Sequence, residues 1–108
     1  MTGKETIVIP DGYILVGYRA QSLWQGMGWS VGIACVRKGT QPVIDSPGNL
    51  YDGPRTWDIE RRGDMGRIEF GLRTTNIERM VNWYRRRSND TPREWVEVEI
   101  REAIERRL

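Results

Sequence analysis

The 108-residue chain contains no histidine and a single cysteine, Cys35. Histidine is the usual general base near neutral pH and the commonest metal ligand, so ordinary Ser–His and Cys–His catalysis is excluded. One thiol can neither form an internal disulfide nor provide the several ligands of a structural zinc site. The sequence therefore predicts a protein that has no metal or other cofactor and is not an enzyme.

Long apolar runs are also missing. No stretch approaches the ~20 apolar residues that a membrane-spanning helix needs, and the first ten residues lack the basic and apolar regions of a signal peptide. A single cysteine suits a reducing compartment. These features predict a cytoplasmic protein with no membrane partner, and the length predicts one domain over residues 1–108.

Lysine is scarce, because Lys4 and Lys38 are the only lysines among 17 basic residues. The 15 acidic residues leave a net charge of +2, which is too small to indicate a polyanionic partner. Arginine suits contacts with carboxylates, phosphates and aromatic faces. A coding bias toward arginine is the preferred explanation of this composition.

The order of residue types predicts the fold class. The first two-thirds of the chain is rich in glycine, β-branched and aromatic residues, and the last third shows helical periodicity. This segregation predicts an α+β domain rather than alternating β-α-β units. We expect a twisted antiparallel sheet of four to five strands, followed by an αα-hairpin packed on one of its faces.

The first predicted hairpin joins residues 13–24 to residues 29–37. Pairing Trp24 with Trp29 across the loop 25–28 places Tyr18 opposite Cys35, and opposed residues share a face. This register predicts one apolar surface that includes Cys35 as a core residue. Its members are Tyr18, Ala20, Trp24, Trp29, Val31, Ile33 and Cys35.

Three further segments complete the expected sheet region. Residues 7–9 are predicted to form a short strand, and residues 56–61 and 67–73 a second hairpin with Ile68, Phe70 and Leu72 directed inward. Between these strands, residues 39–55 contain three prolines and three glycines and show no periodicity. They are predicted to form a long loop, and loops of this length are often functional or mobile.

Two capping boxes predict helices in the last third of the chain, beginning at Thr75 and Thr91. Residues 77–84 then place apolar side chains on one stripe. Residues 96–100 read Val-Glu-Val-Glu-Ile and would also suit a strand. Helix is the preferred interpretation, because Glu97–Arg101 and Glu102–Arg106 are i,i+4 pairs that continue past Ile100.

The first candidate site is the predicted hairpin tip, with Trp24, Met27 and Trp29 as its binding residues. Tryptophan is enriched at binding hot spots, and methionine adapts to varied surfaces. The structural alternative is a cross-strand tryptophan pair that only stabilises the hairpin.

The second candidate site is a basic cluster, with Arg85, Arg86 and Arg87 beside Trp83. Arginines next to an aromatic residue suit phosphate contact and base stacking. Positive charge near a helix C-terminus also complements the helix dipole, so the cluster needs no ligand to explain it.

Three functions remain open. The leading hypothesis is a small non-enzymatic protein-interaction module of the accessory or inhibitor type, forming a homodimer through the tryptophan tip. The alternative is a nucleic-acid-binding protein that uses the arginine cluster. The third is an enzyme that uses two carboxylates, such as Asp58 and Glu60, in a cleft beneath the 39–55 loop.

Overall fold

The computed structural model describes residues 6–22, 28–46, 49–53 and 65–107. Within them the chain forms five strands followed by two helices, which confirms the α+β class. The elements are β1 (Tyr13–Ser22), β2 (Trp29–Arg37), β3 (Gln41–Ser46), β4 (Asn49–Gly53), β5 (Met65–Thr74), α1 (Ile77–Arg87) and α2 (Arg93–Glu105). No helix in these ranges is long and apolar enough to cross a membrane.

The described strands belong to two sheets. An antiparallel sheet has the order β2-β1-β5, and β3 and β4 form a separate two-stranded antiparallel sheet. A single sheet of four to five strands is therefore not confirmed. The long loop predicted over 39–55 is wrong, because most of it forms β3 and β4. Its residues Pro47 and Gly48 fall between these strands, and Pro42 lies near the start of β3, where a strand tolerates proline.

The strands predicted over residues 7–9 and 67–73 had different outcomes. The strand expected over residues 7–9 is wrong, because these residues do not pair with any described strand. Ile7 and Ile9 pack against the core between the sheet and the helices, and Val8 is exposed. Apolar alternation there reflects burial of two side chains, not a sheet partner. The strand expected over 67–73 is present within β5, which pairs with β1. Its predicted hairpin partner, residues 56–61, lies outside the described residues.

The predicted register of β1 and β2 is wrong. Tyr18 lies opposite Gly32 rather than Cys35, and Trp29 lies opposite Gln21 rather than Trp24. The shift from Cys35 to Gly32 is an odd number of residues, so it moves each β1 side chain to the other face relative to β2. The Tyr18 ring explains the choice, because a Cβ at Gly32 would lie 2.5 Å from the Tyr18 Oη.

Both faces of the three-stranded sheet are buried. One face packs with the helices through Leu15, Ile33 and Cys35, and the other buries Val16, Ala34 and Val36. The predicted apolar surface is therefore divided, with Tyr18 on the face opposite Cys35. The helical members of the first cluster are Met80, Val81, Tyr84, Val96, Ile100, Ala103 and Ile104.

The two helices form where the sequence predicts them, but neither begins with the predicted cap. The N-cap of α1 is Asn76 rather than Thr75, because the Asn76 side chain accepts a hydrogen bond from the Arg79 backbone N–H at 3.0 Å. The N-cap of α2 is Pro92 rather than Thr91 and makes no side-chain cap bond, and the Thr91 hydroxyl donates to the Ser88 carbonyl at 3.0 Å. Residues 95–101 are helical, which excludes the strand alternative. Val98 points outward and is 49% exposed, so the strand-like alternation arises from one exposed valine on a helix.

The turn between α1 and α2 is fixed by backbone and side-chain bonds. Asn89 and Asp90 have φ angles of 57° and 59°, and the Asp90 N–H donates to the Arg85 carbonyl at 3.0 Å. This is a Schellman-type helix end. The guanidinium of Arg93 then holds the Glu78 carboxylate of α1 through two bonds, one of them from Nη1 at 3.0 Å.

This ion pair predicts a pH dependence of stability. The hydrogen bond from Arg93 lowers the pKa of Glu78 below its ordinary 4.5. The unfolded state then binds a proton more readily than the folded state, so the contribution is present above pH 4.5 and is lost as the pH falls through the lowered pKa. Denaturant unfolding should show Glu78→Gln slightly less stable than wild type at pH 7 and equally stable near pH 2. A constant difference across this range would contradict the assignment.

Candidate interaction site

A groove of about 360 Å³ lies between α1 and the strands β1 and β5. We call it the Trp83 groove. Two arginines, one glutamate and one tryptophan give it its chemistry. Its lining residues are Arg19, Glu69, Phe70, Gly71, Trp83 and Arg87.

The Trp83 indole sits directly against the strand backbone. A Cβ added at Gly17 would lie 2.6 Å from the Trp83 Cε3, and one added at Gly71 would lie 2.5 Å from its Cζ2. The two glycines lie where the pairing of β1 and β5 shifts register between Val16 and Tyr18. Such a bulge, with no side chain at either position, is what lets a large ring approach the sheet.

Arg87 extends the same surface one helical turn later. Its guanidinium carbon lies 4.6 Å from the centroid of the Trp83 ring, and its Nη1 donates to the Trp83 carbonyl at 3.3 Å. A guanidinium at this distance is attracted to the electron-rich face of the indole. Trp83 is thus in contact with both the sheet and an arginine.

Arg19 forms the other side of the groove. It lies opposite Glu69 in the β1–β5 pairing, and its Nη2 donates to the Glu69 carboxylate. Its guanidinium carbon also lies 4.3 Å from the centroid of the Trp29 ring. Arg19 therefore connects the exposed Trp29 to the Trp83 groove.

The structure brings together members of both candidate sites. Trp29, from the predicted hairpin tip, is 40% exposed and is linked through Arg19 to the groove that contains Trp83 and Arg87. Trp24 and Met27 lie outside the described residues, as do Asp58 and Glu60 of the carboxylate hypothesis.

The arginine cluster does not act as one surface. Arg85 donates its Nε to the Thr91 carbonyl at 3.0 Å and so braces the turn between the helices. Arg86 is exposed and does not line the groove, whereas Arg87 does. Successive helical residues point in different directions, so three arginines in a row cannot share one face.

Sequence reasoning missed Arg19 and Glu69. The two residues face each other with opposite charges on the neighbouring strands β1 and β5, but only the observed pairing of these strands reveals it. It also missed Trp95 on α2, which is 66% exposed beside the outward Val98. The sequence did hold one signal for this surface. If residues 96–100 are helical, Val98 lies off the buried stripe, so an apolar side chain is exposed on the same helix as Trp95.

Other chemistry is limited in the part of the chain that the structure describes. No group of three carboxylates or thiols lies close enough to hold a metal ion. Burial raises the pKa of Tyr18, an effect that Arg106 opposes and Glu99 reinforces. Burial also raises the pKa of Tyr84, so both phenols remain protonated at neutral pH.

Comparisons with known proteins add no family to this description. No protein-family model, curated protein or solved structure matches the chain.

Proposed function

We propose that this chain is a small non-enzymatic protein-interaction module of the accessory or inhibitor type, and that it forms a homodimer. Its contact surface would centre on Trp29 and Arg19. Trp24 and Met27, which the sequence places between β1 and β2, would complete it. The proposal includes a cytoplasmic location. It also includes a helical hairpin packed on one sheet face, and the core cluster that joins Leu15 and Cys35 to both helices supports that packing.

The observation that carries the proposal is the stacked pair of Trp29 and Arg19. Both side chains are about two-fifths exposed, and Glu69 holds the guanidinium in place. Tryptophan and arginine are enriched at binding hot spots. A pair already held in position loses less side-chain entropy on binding than a mobile one, so more of its contact energy contributes to affinity.

Trp95 provides the natural comparison. It is more exposed than Trp29, but Glu94 adjoins it and Glu102 is also exposed on the same helix. Glutamate is depleted at interface cores, and no arginine is stacked on Trp95 among the described contacts. We therefore assign the contact to Trp29 rather than to Trp95.

The test compares Trp29→Ala with Trp95→Ala by light scattering after size-exclusion chromatography. Both variants remove an exposed indole, so they differ only in which surface they change. We expect Trp29→Ala to weaken dimerisation by at least tenfold and Trp95→Ala to leave it unchanged. Circular dichroism checks that both variants remain folded. Equal masses for wild type and Trp29→Ala at every concentration would remove the proposal.

A second candidate is nucleic-acid binding, which the stack of Arg87 on Trp83 beside an open groove favours. Single-strand binders combine such arginine and aromatic contacts. The candidate requires an affinity for labelled oligonucleotides that falls steeply with salt and depends on Arg87. Arg85 would contribute little, because it does not line the groove and instead braces the turn between the helices through the Thr91 carbonyl.

A further inference from the structure

We infer that the Trp83 groove binds the C-terminal carboxylate of a partner protein whose last residue is apolar. This inference rests on the proposed function, because it assumes that the chain binds proteins. It adds the chemical class of the bound segment and a second contact, at Arg87, to the contact assigned to Trp29.

The charges that line the groove suit a single anion. Arg19 and Arg87 contribute two positive charges and Glu69 one negative charge, which leaves a net charge of +1. One carboxylate neutralises it. A nucleic-acid strand carries a phosphate at every nucleotide. A second phosphate in the groove would lie near the negative charge of Glu69, and no third guanidinium of the described residues lines the groove to offset it.

The hydrogen-bond donors of the two arginines also suit a carboxylate. A guanidinium has five N–H donors, and it binds carboxylates through two parallel bonds. The bond from Arg87 to the Trp83 carbonyl uses its Nη1, and the bond from Arg19 to Glu69 uses its Nη2. Each of these bonds employs one of the five donors and leaves capacity for an incoming carboxylate.

The apolar part of the site explains why the carboxylate should be terminal. Trp83 offers indole surface at the groove, and the stem of Arg87 adds methylene groups. In a C-terminal residue, the carboxylate and an apolar side chain branch from the same Cα. One residue can therefore contact the arginines and the indole within a groove of about 360 Å³.

The test uses N-acetyl-leucine as the probe and N-acetyl-leucinamide as its uncharged counterpart. Binding is followed through the Trp83 indole N–H and the arginine Nε–H signals in ¹⁵N-resolved NMR spectra of the full chain. We expect saturable millimolar binding of the acid and at least tenfold weaker binding of the amide. N-acetyl-glutamic acid α-amide, which keeps only a side-chain carboxylate, should also bind at least tenfold more weakly.

Arg87→Gln and Arg86→Gln form the matched pair of variants. Each removes one positive charge from the same turn of α1, but only Arg87 lines the groove. Arg87→Gln should weaken N-acetyl-leucine binding at least tenfold, and Arg86→Gln should leave it within twofold. Equal binding of acid and amide, tighter binding of the glutamate probe or equal effects of the two variants would overturn the inference.

Two results separate this inference from the proposed function. A dimer that requires Trp29 but ignores N-acetyl-leucine would overturn the carboxylate site alone. A monomer that binds N-acetyl-leucine through Arg87 would overturn the dimer and keep the site. If oligothymidylate displaces the Trp83 signal with a strong salt dependence and the acid does not, the groove belongs to nucleic acid instead.

Discussion

Replacing Gly17 by alanine will displace the Trp83 indole and lower the free energy of unfolding by about 1–3 kcal/mol, as overpacking of a filled site does. The added Cβ would lie 2.6 Å from the Trp83 Cε3, and the backbone that carries it is held between β2 and β5. Alanine ordinarily improves on glycine in a strand by about 0.5–1 kcal/mol. A loss of stability would therefore report the ring rather than the strand. Gly71→Ala should behave in the same way.

Two controls isolate the ring as the cause. Gly28→Ala adds a Cβ with no atom within 4 Å, so its free energy of unfolding should stay within about 0.5 kcal/mol of wild type. In a Trp83→Ala background, Gly17→Ala should cost little, because the atoms it would meet are gone. Denaturant unfolding of wild type, Gly17→Ala, Trp83→Ala and the double variant gives the coupling energy between the two positions directly. A Gly17→Ala variant as stable as wild type would show that Trp83 does not lie against β1.

The second large effect is protection of the only thiol. Cys35 lies in β2 opposite Leu15, on the face that packs with both helices, and it is fully buried. A disulfide reagent can reach it only after the helices separate from the sheet. For a domain of ordinary stability, of 5 kcal/mol or more, we expect labelling at least ~10³-fold slower than in denaturant.

A relocated cysteine provides the control for this rate. Val8 is 70% exposed, so Val8→Cys in a Cys35→Ala background should react within about tenfold of the unfolded chain. Comparable rates for Cys35 in the native protein and in denaturant would contradict its place beneath the helices. The labelling rate of Cys35 in any other variant, compared with the wild-type rate, then measures how that variant changes the separation of the helices from the sheet.

Local patterns predicted most elements of the fold. The stripe of Met80, Val81 and Tyr84 lies in the core as its spacing required, and the capping signals placed both helices within one or two residues. These features depend on neighbours within one or two helical turns, which the sequence shows directly. The α+β class follows from the same information.

Strand pairing depends on contacts that sequence spacing does not contain. Opposing Trp24 with Trp29 satisfied the pattern of apolar residues, but Tyr18 packs across Gly32 and sets a different register. The 39–55 segment shows the same limit. Proline and glycine break periodicity in a sequence, yet they can lie at the start of a strand or between two strands.

The candidate site could be predicted only in part for the same reason. Trp29, Trp83 and Arg87 were recognised from residue type. That they belong to one neighbourhood depends on Arg19, which contacts Trp29 and Glu69 across two strand pairings. The three arginines at the end of α1 were treated as one cluster, whereas helix geometry directs Arg85 to the turn and Arg87 to the groove.

The mass of the purified wild-type protein tests the proposed function most directly. Sedimentation equilibrium at about 0.01 M and about 1 M salt covers weak and strong screening of exposed charges. An interface centred on Trp29, which dimerisation would bury, predicts twice the 12.6 kDa chain mass at both salt concentrations. A mass of 12.6 kDa at every protein concentration would contradict the homodimer and leave Trp29 without the role assigned to it.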